Sequence, residues 1–218
     1  MRIGLFGGTF NPIHIGHITV STEIKEAFEL DRLYMIPSAI PPHKKSKEIA
    51  DARDRLEMTR LAVSRLEGYH VSDIELQRSG PSYTVDTINH FKKILPADVS
   101  LYLILGIDAF LEIDTWMSYK ELFKMLPFIV MSRPGKYNIV TSEHLESYVL
   151  NKVSESYAFQ KEEKRFVDDR YQPIHVFNVT PCTISSTDIR KKIRKRNPIG
   201  GLVPGNVENY IKDKGLYL

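Results

Sequence analysis

RIGLFGGTFNPIHIGHITV, residues 2–20, is the stretch that decides the fold. RIGLF (2–6) reads as a short buried strand, and Gly7 and Gly8 end it without side chains, so that a ligand can approach the backbone closely. After the loop TFNPIHIG (9–16), Ile18, Val20, Ile24, Ala27 and Phe28 recur at roughly helical spacing. Strand, glycine turn and helix make the first half of a βαβ unit, and the chain repeats the alternation. RLYMI (32–36) reads as a second strand, followed by the Pro-rich loop PSAIPPHKK (37–45). Asp51 can cap a helix running to about Leu66, with Leu56, Thr59, Val63 and Leu66 on one face. A third strand is expected near 69–72, and a helix over 84–95 with Val85, Ile88 and Leu95 inward. VSLYLIL (99–105), FIVMS (128–132) and IHVFNV (174–179) are continuous apolar runs, as central parallel strands covered on both sides require. The expected fold class is α/β, a doubly wound parallel sheet in one domain over 1–218. Residues 137–172 are polar and are expected to form a peripheral helical excursion, and 181–218 a C-terminal helical part. Ligands on such sheets bind beyond the carboxyl ends of the strands. Gly7, Pro37, Gly106, Arg133 and Thr180 all lie at or just past those ends.

Composition sets few limits. A chain of 218 residues with 42% hydrophobic and 26% charged residues can bury a core without staples. The single cysteine, Cys182, excludes an internal disulfide and suits a reducing compartment, so a cytoplasmic location is the expectation. No apolar run is long enough to read as a membrane span or signal peptide. The net charge of +3 does not imply nucleic acid by itself. The basic residues Arg190, Lys191, Lys192, Arg194, Lys195 and Arg196 do crowd together, either as a solvated helix face or as a phosphate site.

Two helix starts carry the chemistry. His14 and His17 stand three apart at the first, where amides and the positive dipole end attract phosphate and two imidazoles add directional donors. The dipole should keep both rings neutral until a triphosphate binds. The loop is not a Walker-type phosphate loop, and no cysteine or third nearby histidine completes a metal set, so no protein-held metal is expected. At the second helix start, Ser185, Ser186, Thr187 and Asp188 form a capping-box pattern, with Ile189 and Ile193 turned inward and Arg190 one turn from Arg194. Hydroxyls and a guanidinium fork at a helix start suit phosphate, though a capped surface helix would read the same way.

GGTFNPIHIGH resembles the H/T-x-G-H signature of the nucleotidyltransferase superfamily, and ISSTDIR resembles its second signature, S-S/T-T-x-I/L-R. Class I aminoacyl-tRNA synthetases share the first but carry a KMSKS loop, absent here. Four further stretches are similar, in order and spacing, to bacterial nicotinate-nucleotide adenylyltransferases: IPPHKK, GPSYT, LGIDAFLEIDTW and MSRPG. GLVPGNVENYIKDKGLYL at the C-terminus fits as well, and the likeness is weakest over 137–172.

The resemblance implies a Rossmann-like enzyme that joins the adenylyl group of ATP to nicotinate mononucleotide. It implies an ATP site of Gly7, Gly8, Thr9, Phe10, His14, His17, Gly106, Asp108, Ile184, Ser185, Ser186, Thr187 and Arg190, with His14, His17 and Arg190 catalytic. Asp108 would bond a ribose. The acceptor site would comprise Lys44, Tyr83, Thr84, Trp116, Met117 and Arg133. In it Trp116 stacks on the pyridine ring, the Thr84 and Met117 amides hold the carboxylate, and Lys44 and Arg133 lie near the phosphate. Mg²⁺ would be held mainly by ATP phosphates. Partners would be small molecules, with no nucleic acid and no membrane, and with room for a homo-oligomer. Readings that remain open are a different phosphorylated acceptor, such as nicotinamide mononucleotide, and a non-catalytic nucleotide-binding regulator.

Overall fold

The computed structural model describes residues 1–40, 49–132 and 143–218. Its strands are β1 (Arg2–Gly8), β2 (Arg32–Pro37), β3 (Tyr69–Val71), β4 (Ser100–Gly106), β5 (Phe128–Met131), β6 (Ala158–Gln160), β7 (Arg165–Val167) and β8 (Ile174–Phe177). Its helices are α1 (Ile15–Ala27), α2 (Ala52–Val63), α3 (Ile74–Gln77), α4 (Thr84–Ile94), α5 (Ile107–Phe110), α6 (Tyr119–Met125), α7 (Glu143–Tyr148), α8 (Ser186–Arg194) and α9 (Gly205–Asp213). Among the described residues the strands form one sheet, ordered β3-β2-β1-β4-β5-β8-β7-β6. The pairs from β3 through to β8 are parallel, and only β6–β7 and β7–β8 are antiparallel. Each strand anticipated as an apolar run lies in this parallel part, which gives the doubly wound α/β sheet.

Strand side chains alternate between two faces. Leu103, Leu105, Phe128 and Val130 point to a core shared with Ile88 and Phe91 of α4, Phe110 of α5 and Phe123 of α6. Leu33, Met35, Ile104 and Ile129 point to the other, with Ile24 of α1, Met58 of α2, Ile189 and Ile193 of α8, and Val207 and Ile211 of α9. Helices thus cover both faces, and the order of strands reverses between β1 and β4. The crevice beyond Gly8 and Gly106 is therefore the topological switch point, where open α/β sheets bind ligands.

Three local expectations come out differently. Within α1 the buried residues are Gly16, Ser21 and Ile24, while Ile18 and Val20 are only half-buried. The Ser21 hydroxyl is satisfied there by the Tyr69 hydroxyl at 3.0 Å, so a polar residue takes an inward place. The helix capped by Asp51 ends at Val63 rather than Leu66. Residues 158–167, inside the stretch expected as helical, form the β6–β7 hairpin, with Phe159 opposite Phe166. The ring pair is 4.7 Å apart, and Phe166 is buried against the sheet core. Cross-strand aromatic packing outweighs the polar composition there.

Candidate active site

Two cavities open at the switch point, one on each side of it. The first, of about 810 Å³, is lined by His14, His17, Asp108, Ser185, Thr187 and Arg190, among others. The second, of about 760 Å³, is lined by Gly7, Ser82, Tyr83, Thr84, Trp116 and Met117, among others. Thr9 and Gly106, at the ends of β1 and β4, line both. A molecule in one cavity can therefore meet a molecule in the other across these two residues.

The first cavity unites segments far apart in the chain. His14 caps α1, and its N–H donates to Nδ1 of His17 at 3.2 Å. The Ile15 N–H donates to the Leu202 carbonyl at 3.0 Å. These two amides of the helix start are thus engaged within the protein, which leaves the imidazoles as the more available donors there. Because His17 Nδ1 accepts a backbone proton, the neutral ring carries its own proton on Nε2, which makes that atom a donor. The two imidazoles stack with centroids 3.7 Å apart, and Phe10 meets His17 edge-on at 5.2 Å. His14 is 7% exposed, and its Nδ1 is buried without a hydrogen-bond partner among the described residues. Burial pushes its pKa down from 6.5 to about 4. His14 is therefore neutral at pH 7, as anticipated, with desolvation as the cause.

This shift makes a stability prediction. The unfolded chain takes up the His14 proton near pH 6.5 and the folded chain only near 4. Stability is therefore fully present above pH 6.5 and is lost as pH falls toward 4. The difference between the two values corresponds to about 3 kcal/mol. Urea denaturation from pH 7.5 to 4 should show the natural chain losing that amount relative to His14→Asn. Parallel pH curves for the two proteins would refute the assignment.

Opposite α1, Ser185 caps α8 as read. Its Oγ accepts from the Asp188 N–H at 3.1 Å and donates to the Asp188 carboxylate at 2.7 Å, which holds that carboxyl below its ordinary pKa. The Ser186 hydroxyl donates to the Pro12 carbonyl at 2.9 Å, and Arg190 Nη1 donates to the Asn11 carbonyl at 2.9 Å. These two bonds tie the second motif to the first loop across more than 170 residues. Arg190 lines the cavity, whereas Lys191, Lys192, Arg194, Lys195 and Arg196 are exposed. The basic run is thus a solvated face with one inward member. Phe10 and Ile184 complete the cavity wall.

Not every expected residue falls where it was placed. Gly7 and Gly8, expected with ATP, line the second cavity. A Cβ at Gly7 would meet nothing within 4 Å, which leaves room for close approach, while one at Gly8 would strike the Phe10 ring at 2.8 Å. Tyr83 stands at the cap position of α4, and Thr84 is its first residue, where the helix over 84–95 was expected to begin. The Thr84 amide thus belongs to the first turn, where helical amides have no carbonyl within the helix. Trp116 is half-buried against the sheet core, and Met117 is 51% exposed. Lys44 and Arg133 lie outside the described residues.

Arg55, Glu75, Ser38 and Asn11 were not among the residues expected at the site. Arg55, 1% exposed, donates to the carbonyls of Thr9, Ser38, Ala39 and Ala50 at 2.7–3.1 Å. It gathers the loops that follow β1 and β2. Its signal was present, since Arg55 stands one turn before Thr59 and two before Val63 on the inward stripe. Asn11 accepts the Ala50 N–H on its side-chain oxygen at 3.0 Å. Glu75 and Ser38 line the second cavity, and nothing in the local sequence marks them.

A family model described as cytidylyltransferase-like matches residues 5–192. A protein of Desulfatibacillum aliphaticivorans named "Probable nicotinate-nucleotide adenylyltransferase" is 41% identical over 219 residues, covering 100% of both chains. One of the same name from Thermoanaerobacter sp. (strain X514) is 39% identical over 100% of this chain and 94% of its own. Among solved structures, Plasmodium falciparum nicotinic acid mononucleotide adenylyltransferase complexed with NaAD superposes with a TM-score of 0.74 at 19% identity, covering 99% of this chain and 97% of that one. That likeness supports the Rossmann-like fold. Identity of this extent over the full chain, with both motifs at one cavity, makes the protein a member of the cytidylyltransferase-like family and, within it, of the nicotinate-nucleotide adenylyltransferases.

Proposed function

We propose that the two cavities hold the two substrates of one adenylyl transfer, ATP in the first and nicotinate mononucleotide in the second, giving deamido-NAD and pyrophosphate. The observation that carries this reading is their meeting at Thr9 and Gly106, with His17 lining the first cavity against the Phe10 ring. An acceptor phosphate in one cavity can thereby reach the α-phosphorus of a triphosphate in the other.

The nucleophile is a phosphate monoester with a second pKa of about 6, so it is largely a dianion at neutral pH and needs no general base. Its oxygen forms a bond to the α-phosphorus as the bond from that phosphorus to the bridging oxygen breaks, and pyrophosphate leaves with the electron pair. Catalysis is then positioning and charge stabilisation. His17 Nε2–H serves the α-phosphoryl oxygens in the transition state. His14 orients the phosphates, and its buried Nδ1 gains a charged partner when they arrive. Arg190 and the Ser185–Thr187 turn hold the β,γ end, and Asp108 takes a ribose hydroxyl.

Asp108 is the one carboxylate among the described lining residues of this cavity, and the other polar groups are mostly donors. That set suits a Mg²⁺ carried in by the triphosphate oxygens rather than one caged by protein. When bound, the ion would neutralise charge on the leaving pyrophosphate. In the second cavity Trp116 stacks on the pyridine ring while the Thr84 and Met117 amides hold its carboxylate beside Tyr83. The Met117 side chain is half-exposed, so its part is played by the backbone alone.

Pyrophosphate release from Mg-ATP, measured in parallel with nicotinate mononucleotide, nicotinamide mononucleotide and phosphopantetheine, tests the reading. Turnover should be fastest with the nicotinate compound. Preference for either of the others would reassign the acceptor, and ATP binding without any release would make the protein a nucleotide-binding regulator.

A further inference from the structure

The acceptor cavity contains a buried carboxylate that no part of the proposed reaction uses. Glu75, 8% exposed, lines it from α3. Its Oε1 accepts from the Thr87 hydroxyl at 2.9 Å, and Arg78 Nη2 donates to that same hydroxyl at 2.7 Å. This chain of bonds anchors one edge of the carboxylate beneath the first turns of α4. Its other oxygen, Oε2, is buried with no hydrogen-bond partner among the described residues, and so is the Oγ of Ser38, which lines the same cavity. A buried acceptor left unmatched costs free energy, so an orphan at the wall of a ligand cavity implies a donor that arrives with the ligand.

The chemistry of a nicotinate mononucleotide narrows which donor that is. Its ring carboxylate and its phosphate are anions, which a carboxylate repels. Its pyridinium nitrogen bears no hydrogen. The groups left that can donate are the two ribose hydroxyls. We infer that Glu75 is a specificity-determining residue of the acceptor site, its Oε2 accepting a hydrogen bond from a ribose hydroxyl of the bound mononucleotide. The assignment rests on the proposal that this cavity holds the acceptor. Burial raises the Glu75 pKa, while the Ser82 and Thr87 hydroxyls, the Arg78 charge and the Ala39 amide lower it, so protein groups offset part of the cost of burying the carboxylate. The cavity would thereby select a ribose and exclude deoxyribose acceptors.

Trp116 is the only tryptophan, so quenching of its fluorescence reports acceptor binding directly, without turnover. The 2′-deoxy and 3′-deoxy forms of nicotinate mononucleotide are titrated against the natural chain, Glu75→Ala and Glu75→Gln, together with the ribose form. A charge-assisted hydrogen bond away from water corresponds to about 10- to 100-fold in Kd. The natural chain should lose that factor on one of the two deoxy compounds. Glu75→Ala should lose it on the ribose compound and nothing further on that same deoxy compound, with the KM for ATP unchanged. Should Glu75→Ala fail to fold, Glu75→Gln keeps the bond to Thr87 and shows the same pattern at smaller size. Equal binding of all three compounds by the natural chain would overturn the inference, as would a loss in the variants that persists in full on both deoxy compounds. Tight binding of nicotinate mononucleotide with no pyrophosphate release would instead count against the proposed reaction, and the Kd pattern would still decide the role of Glu75.

Discussion

Replacing His17 by alanine is expected to lower kcat by about 10²–10³, the cost of removing one preorganised donor from a developing oxyanion. The KM values for both substrates should move little. The reason lies in the tautomer. His17 Nδ1 is occupied by the His14 N–H, so the donor that remains, Nε2–H, is held by a backbone contact and by packing against the His14 and Phe10 rings. Such a group needs no reorganisation as charge develops. The same bond makes His17 part of the helix cap, so the variant should also lose about 1 kcal/mol of stability, or roughly 2–4 °C in Tm. Pyrophosphate release and thermal denaturation on one preparation separate the two effects. A folded variant with near-normal turnover would remove His17 from the chemistry.

Arg55→Met is expected to produce the largest loss of stability, about 3–5 kcal/mol, because four part-buried carbonyls lose a charged donor at once. Those carbonyls belong to the ends of β1 and β2 and to the residue before the α2 cap. Thr9, one of the two residues common to both cavities, is one of them. The KM values for both substrates should therefore rise together, unlike a change confined to either cavity. Methionine preserves much of the buried apolar stem, so the effect reports the guanidinium rather than a void. Urea denaturation and substrate titrations measure the two parts. A variant within about 1 kcal/mol of the natural chain would show that the loops hold their shape without it.

Much of the first cavity was legible because its cues are short-range. The Ser185–Asp188 cap closes within three residues, and the apolar runs β4 and β5 declare burial on both faces. The second cavity was less legible. Trp116 and Thr84 stood out by type and by resemblance to a family, whereas Glu75 lies in a four-residue helix with no periodicity to expose it. Arg55 was written into a helical stripe, yet a stripe does not say whether an inward arginine meets carbonyls or solvent.

By itself the sequence determined that strands and helices alternate, where the helices begin, and which side chains could meet phosphate. Those properties follow from backbone sterics, capping bonds and apolar periodicity, each of which acts over a few residues. Only the tertiary structure decided that Arg190 bonds to Asn11 from 179 positions away, that two cavities share Thr9 and Gly106, and that Glu75 lines the second cavity with one carboxylate oxygen unmatched among the described residues. Those contacts arise from the order in which strands pair, a cooperative result of the whole core that no local segment encodes.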